Sequence, residues 1–337
     1  MRHVLGVDAG ATKTHALVVH DSGRVLGFGQ GGPGNHQVGG LEPAVREIER
    51  AARAAIVKGG LSPDRIDLGC YCLAGADLPE DYAMLTRAME GLSLARSVVV
   101  KNDTMAALRA GLTRPWGVVV ICGTGFNAAG RSPDGREIVL PGLGAISGDW
   151  GGGGDLSREM IRLVMRAWDG RGKPTLLTGL VLEALEAPSV EALLSRLYHH
   201  EVDQRRIRDL VPLIFEAAEA GDALAGELIV RMGTEVGVTA NALIRRLSLE
   251  REDMEVVLGG SVFKGQGSLL LDTITRVVRE KAPKARIVMP PYEPVVGAAL
   301  LALESIGVTV TGPLSHLLGR SIPAELATIR GETPREE

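Results

Sequence analysis

Three stretches of this chain end an apolar run in small and hydroxylated residues. "HVLGVDAGATKTHALVV" places Asp8 at the end of such a run and continues with Gly10, Ala11, Thr12, Lys13 and Thr14. "VVVICGTGFNAAGR" turns at Gly123, Thr124 and Gly125 and goes on to Asn127, and "VVLGGSVF" turns at Gly259, Gly260 and Ser261. Small residues let an anion approach the backbone, where successive N–H groups form a nest, and the threonine and serine hydroxyls add donors. That chemistry suits phosphate. Asp8 cannot bind phosphate itself, since like charges repel, but it fits beside one if Mg²⁺ stands between them through water. Any one of these turns reads equally well as an ordinary tight turn. The signal is the set of three, one of them carrying an acid. Neither GxxxxGK[ST] nor GxGxxG occurs in its strand–turn–helix setting.

Two further acids stand where chemistry is possible. Asp103 closes "SVVVKND" and opens the helix "TMAALRAG". It has two readings: the helix N-cap, or a carboxylate at a strand end acting as general base for an alcohol. Asn102 can cap equally well, which frees Asp103. Asp149 lies in "GLGAISGDWGGGGDLSREM", where four glycines precede an acidic helix start. The stretch is either a flexible linker with Asp155 capping the next helix, or a loop whose backbone and Asp149 close on a polar ligand.

The elements that must position these residues alternate. Residues 3–9, 14–20 and 24–30 read as strands, with "DSGR" as a hairpin turn, and "LEPAVREIERAARAAIVKGG" as a helix stopped by Gly59-Gly60. "IDLGCYCLAG" and "RSVVVKND" read as strands, and 80–91 as a helix. A similar series follows, with strands at 117–131, 137–140, "MEVVLGGSVF" and "ARIVMP". The chain is mostly helical over 155–247, broken near 170–174, 187–189 and 220–222, and 295–306 is the last helix before a frayed "GETPREE" tail. This pattern predicts an α/β fold of two lobes, each a mixed sheet flanked by helices, with a ligand cleft between them. The expected lobes are 1–112, rejoined by the helix near 295–306, and 113–294 with a helical insert at 155–247.

The bulk composition excludes some classes. A formal charge of -4 over 337 residues and 3% aromatics disfavour a nucleic-acid partner. No apolar run reaches the roughly 18 residues of a membrane span, and the N-terminus lacks a signal-peptide pattern. Three cysteines, an odd and sparse set, suit a reducing cytoplasm. Cys70 and Cys72, two apart, share a strand face as small hydrophobes.

In this order the three turns resemble those of the actin-like ATPase and sugar-kinase superfamily, with its ribonuclease H-like lobes. "GPGNHQ", "CLAGAD", "KND", "CGTGFN", "SGDWG" and "GGSVFK" are similar to motifs of the N-acetylglucosamine kinase-like group within the BadF/BadG ATPase family. The resemblance spans residue 4 to about 303. It implies ATP phosphates at Gly10, Ala11, Thr12, Lys13 and Thr14 and at Gly123, Thr124 and Gly125, with adenosine at Gly259, Gly260 and Ser261. It implies Mg²⁺ near Asp8, and a sugar held by Asn35, His36, Asp77, Asp103, Thr124, Asn127 and Asp149. Asp103 would take the proton of the sugar's primary hydroxyl, and the family's common state is a homodimer. Animal N-acetylglucosamine kinases carry Trp-Gly-His where this chain has Leu143-Gly144-Ala145, and Gly-Asp-Glu-Gly where it has Gly148-Asp149-Trp150-Gly151. The motif therefore leaves the sugar open. The same family holds ATPases that activate iron–sulfur enzymes, and a binding protein without catalysis is a third reading.

Overall fold

The computed structural model describes residues 1–264 and 267–328, so the expected "GETPREE" tail lies outside the described residues. The opening strands are β1 (His3–Ala9), β2 (Thr14–His20) and β3 (Val25–Gly31), each placed as the apolar alternation predicts. The "DSGR" turn forms, with the His20 amide donating to the Arg24 carbonyl at 2.9 Å. After a single turn, α1 (His36–Gly39), comes α2 (Leu41–Lys58), which ends at Gly59. Ala44, Ile48, Ala51, Ala52, Ala55 and Ile56 recur at helical spacing on α2 and bury its inner face against β2 and β3.

β4 (Leu68–Leu73), α3 (Pro79–Gly91), β5 (Val98–Asn102) and α4 (Asp103–Gly111) complete the first sheet and its helices. The strand order is β3-β2-β1-β4-β5. β2 runs antiparallel to both neighbours, while β4 and β5 run parallel to β1 and to each other. Asp8 stands opposite Cys72, and Leu73 opposite Asn102, so the acid-bearing ends of β1, β4 and β5 align at one edge of the sheet. That end is where ligands bind in sheets of this kind.

The second sheet is β10-β9-β6-β7-β8, built from β6 (Gly117–Cys122), β7 (Phe126–Arg131), β8 (Glu137–Val139), β9 (Glu255–Gly259) and β10 (Arg286–Val288). Six helices fill the predicted helical stretch: α5 (Gly153–Trp168), α6 (Leu177–Ala184), α7 (Val190–Tyr198), α8 (Gln204–Arg208), α9 (Pro212–Glu219) and α10 (Ala223–Arg246). Two breaks went unforeseen, at 199–203 and at 209–211 between α8 and α9. His200 takes a φ of 57° and Asp203 caps the next helix, so the chain also turns at 199–203.

α11 (Leu269–Arg279) precedes β10, and α12 (Pro294–Ser305) packs against α4, β1 and β4. A last helix, α13 (Gly312–Ser321), was not anticipated. Its proline and two glycines weaken the periodic signal, but Thr311 caps it through its side chain and Leu314 and Leu318 are buried. By contact density the chain forms two compact units. One is Met1–Val119 with Ala129–Pro141 and the chain from Val288 onward; the other is Val120–Ala128 with Gly142–Ile287. Among the described residues no helix is long and apolar enough to cross a membrane.

Candidate active site

The β1–β2 turn is closed by the Gly10 amide donating to the Lys13 carbonyl at 2.9 Å. Ala11, Thr12 and Lys13 are exposed on it. Thr14 is fully buried, and its hydroxyl donates to the Gly32 carbonyl at 2.8 Å, so it braces the loop from beneath. Of the two threonines, only Thr12 keeps an exposed side chain. The Lys13 ammonium pairs with Glu293, the residue that caps α12, at 2.8 Å.

Asp8 lies behind this turn and is only partly exposed. Burial, then the negative charges of Asp103 and Glu293, push its pKa up to about 8 against the opposing pull of Lys13. Asp103, at the start of α4, rises to about 6 through burial and the charge of Asp77, with the backbone N–H groups of Thr104 and Asp103 holding it down. Asp103 raises Asp8, yet Asp8 is not among the groups that raise Asp103. The order of titration explains this: when Asp103 ionises near pH 6, Asp8 is still neutral and exerts no charge on it.

Asn102, not Asp103, caps α4. Its Oδ1 accepts from the Thr104 amide at 3.0 Å and from the Thr104 hydroxyl. Its Nδ2 donates to the Ala76 carbonyl at 3.1 Å and to Asp77 Oδ1 at 2.9 Å. Asp77 Oδ2 accepts from Gln37 Nε2 at 3.1 Å. Asn35 caps α1 through its side chain, and the His36 ring lies 3.5 Å from Asp81 through Nε2. His36 Nδ1 is buried with no hydrogen-bond partner among the described residues. Asn35, His36, Asp77 and Asp103 thus sit on connected parts of one unit. Behind them, Glu304 on α12 accepts from the buried Arg109 of α4 at 2.7 Å and from Arg131 at 3.1 Å, while Lys101 of β5 grips both oxygens of Glu137.

In the other unit, Thr124 and Gly125 are exposed at the β6–β7 turn, and a side chain added at Gly123 or Gly125 would meet nothing. The backbone there is open to a ligand. The four-glycine run is not a linker. The Gly153 amide donates to the Gly123 carbonyl at 2.8 Å and Gly154 to Thr124 at 3.0 Å, so the run docks on the turn as α5 begins. A Cβ on Gly152 would fall 2.6 Å from the Gly125 carbonyl carbon, which is why the segment must be bare backbone. Asp155 caps it, accepting from the Gly151 and Gly152 amides at 3.2 Å each.

Asn127 accepts from the Ala128 amide at 2.8 Å and packs over Gly142. Asp149 closes its own loop, accepting from the Gly144 amide at 3.0 Å and from the Ser147 hydroxyl. The neighbouring Trp150 lies under the Arg231 guanidinium at 3.9 Å. Gly259 is buried at the end of β9, and Gly260 and Ser261 are exposed. Gly260 has a φ of 104°, and a Cβ there would strike the Cys122 carbonyl oxygen at 2.3 Å, so only glycine fits.

Three groups escaped the sequence reading. Glu293 was given no role, although a glutamate before a helix-opening proline is itself a signal. Gln37 closes the "GPGNHQ" motif but was given no role, and nothing in the sequence marked the donor side of Asn102. All three cysteines are buried, with the Cys70 and Cys72 sulfurs 4.0 Å apart. Sulfur contact and burial raise the Cys72 thiol, and burial raises Cys122, so these behave as small hydrophobes.

Two mixed sheets flanked by helices, with glycine turns at their strand ends, define the fold of the sugar kinases of the actin-like ATPase class. The Thermus thermophilus ROK hexokinase superposes over 90% of this chain and 99% of its own with a TM-score of 0.57 at 19% identity, a likeness of fold. The chain belongs to the BadF/BadG/BcrA/BcrD ATPase family, whose pattern matches residues 5–302. It is similar to the N-acetylmuramic acid/N-acetylglucosamine kinase of Clostridium acetobutylicum, at 28% identity over 90% of this chain and 98% of that one. It is also similar to the N-acetyl-D-glucosamine kinase of Dictyostelium discoideum, at 30% identity over 89% and 98% of the two chains.

Proposed function

We propose that the protein is an ATP-dependent kinase that transfers the γ-phosphate to a hydroxyl, the 6-hydroxyl, of an amino sugar of the N-acetylglucosamine and glucosamine class. The observation that carries this reading is the cap of α4. Because Asn102 satisfies the helix start, Asp103 is left at the strand end with a pKa near 6, ionised at neutral pH and basic enough to accept a proton. The relatives named for phosphorylating N-acetylglucosamine support the choice of substrate class.

In this reading Asp77, Asn35, His36, Asn127 and Asp149 hold and orient the sugar, and Thr124 contacts both sugar and phosphate. Asp103 accepts the proton of the hydroxyl as that oxygen forms its bond to the γ-phosphorus. The bond between γ-phosphorus and bridging oxygen breaks, and the electron pair leaves with ADP. The open backbone at Thr12–Lys13 and Gly123–Gly125 cradles the phosphates, and Gly259, Gly260 and Ser261 line the adenosine. Catalysis is then mainly orientation and charge placement.

Magnesium fits the residues present. Asp8 stands among Asp103 and Glu293, opposed by Lys13, whose ammonium is already paired with Glu293. Among the described residues no cluster of three acidic, histidine or cysteine side chains could hold a metal by itself. One carboxylate, water and nucleotide phosphates make the usual Mg²⁺ site. Bound there, the ion would neutralise the phosphate charge. The iron–sulfur activator reading loses support, because its cluster needs exposed cysteines and these three are buried. A cytoplasmic homodimer completes the proposal, resting on the family resemblance and on three free thiols.

The test is ADP release from Mg-ATP across glucose, glucosamine, N-acetylglucosamine, N-acetylmannosamine and N-acetylmuramic acid, with Asp103→Asn as control. Strong stimulation by one amino sugar, lost in the variant, is the expected result. Slow hydrolysis indifferent to every sugar would overturn the reading.

A further inference from the structure

Asn102 does more than end a strand. It is completely buried, and both faces of its amide are used. The Thr104 amide can only donate, so it must face Oδ1, and this fixes which side of the side chain carries the N–H groups. Those two N–H groups then reach two acceptors: the Ala76 carbonyl at 3.1 Å and Asp77 Oδ1 at 2.9 Å. One side chain therefore joins the exit of β4, where Asp77 sits, to the first turn of α4, where Asp103 sits. The register supports the same join, since Leu73 pairs with Asn102 across β4 and β5. Gln37 holds only the other oxygen of Asp77, and Gln37 is exposed.

We propose that Asn102 is a positioning residue that fixes the Asp77 carboxylate relative to Asp103, and thereby sets the grip on the sugar hydroxyls beside the base. This rests on the kinase reading, in which Asp77 contacts sugar. A buried hydrogen bond to a carboxylate resists loss, because the freed acceptor cannot recover water. Asp77 without this donor turns toward solvent or toward Gln37, and Asp103 loses its fixed neighbour.

The experiment compares wild type, Asn102→Ser and Asn102→Asp. Serine keeps a capping oxygen and removes both amide N–H donors that reach Ala76 and Asp77. Aspartate is isosteric and keeps the cap, but sets an acceptor against the Ala76 carbonyl and Asp77. The sugar that stimulates wild type best is the varied substrate, and KM values for sugar and ATP are measured separately over pH 5 to 9. Asn102→Ser should raise the sugar KM about tenfold or more while the ATP KM stays within about twofold. Asn102→Asp should raise it further, and should move the acid limb of kcat/KM upward because another negative charge stands near Asp103. A purely structural asparagine would lower melting temperature and leave both KM values alone. An unchanged sugar KM in either folded variant, beside an active wild type, overturns the positioning role and leaves the kinase reading standing. A wild type that neither phosphorylates nor binds any sugar of the panel overturns both.

Discussion

Replacing Asp8 by asparagine should make the ligand-free protein more stable, and should do so in a particular pH window. Burial, Asp103 and Glu293 raise this carboxyl from an ordinary 3.8 to about 8. A raised carboxyl contributes fully below the unfolded value and loses that contribution as pH climbs through the folded value. Asp103 behaves the same way, but its window closes near pH 6. Between pH 6 and 8 the Asp103 penalty is constant, so the change of penalty with pH belongs mainly to Asp8. At about 1.36 kcal/mol per pH unit, the cost at pH 7 approaches about 4 kcal/mol. Asp8 is partly open to solvent, and the screening this brings reduces the figure to about 2 kcal/mol.

Asparagine keeps the shape and abolishes the charge. Thermal denaturation without nucleotide or Mg²⁺ at pH 6, 7 and 8 reads the difference directly. The variant should melt a few degrees above wild type at pH 8, and the gap should narrow toward pH 6. The same variant should lose Mg²⁺-dependent phosphotransfer, because stability here is traded for a charge that function needs. A gap that stays constant from pH 6 to 8, or a variant that melts below wild type at pH 8, would refute the argument that Asp8 is an uncompensated buried acid.

Asp103→Asn should lower kcat at least about 100-fold while ATP binding, followed by calorimetry, persists. In wild type kcat/KM should fall about tenfold per pH unit below pH 6 as Asp103 takes its proton, and that limb should vanish from the residual activity of the variant. Gly152→Ala should push α5 off the Gly123–Gly125 turn, raising the KM for ATP more than that for sugar, since its Cβ meets turn backbone at 2.6 Å. Glu304→Ala strands the buried Arg109 and should cost about 3 kcal/mol in urea denaturation; a loss under 1 kcal/mol would mean that solvent reaches the guanidinium.

The sequence alone determined the strands, most helices and the three turns. These depend on local rules: alternation along β1 and β2, helical spacing in α2, and glycine where a chain must bend or come close. Asp8, Asp103 and the glycines were legible because each is the unusual residue at the end of an apolar run. The capping choice between Asn102 and Asp103 was stated in sequence and left open there, since either side chain can reach the first turn of a helix.

Only the tertiary structure decided it, by bringing Ala76 and Asp77, in the loop after β4, to the amide of Asn102. The four glycines read as a linker or a closing loop, and only the packed structure shows the Gly123–Gly125 turn occupying the space that a side chain on Gly152 would need. Thr14 looked like a phosphate ligand, and its hydroxyl proved to be engaged by Gly32. Glu293 met Lys13 across 280 residues of chain. Short-range order is written in the residue pattern. Which donor meets which acceptor depends on chain segments far apart, and packing alone sets that distance.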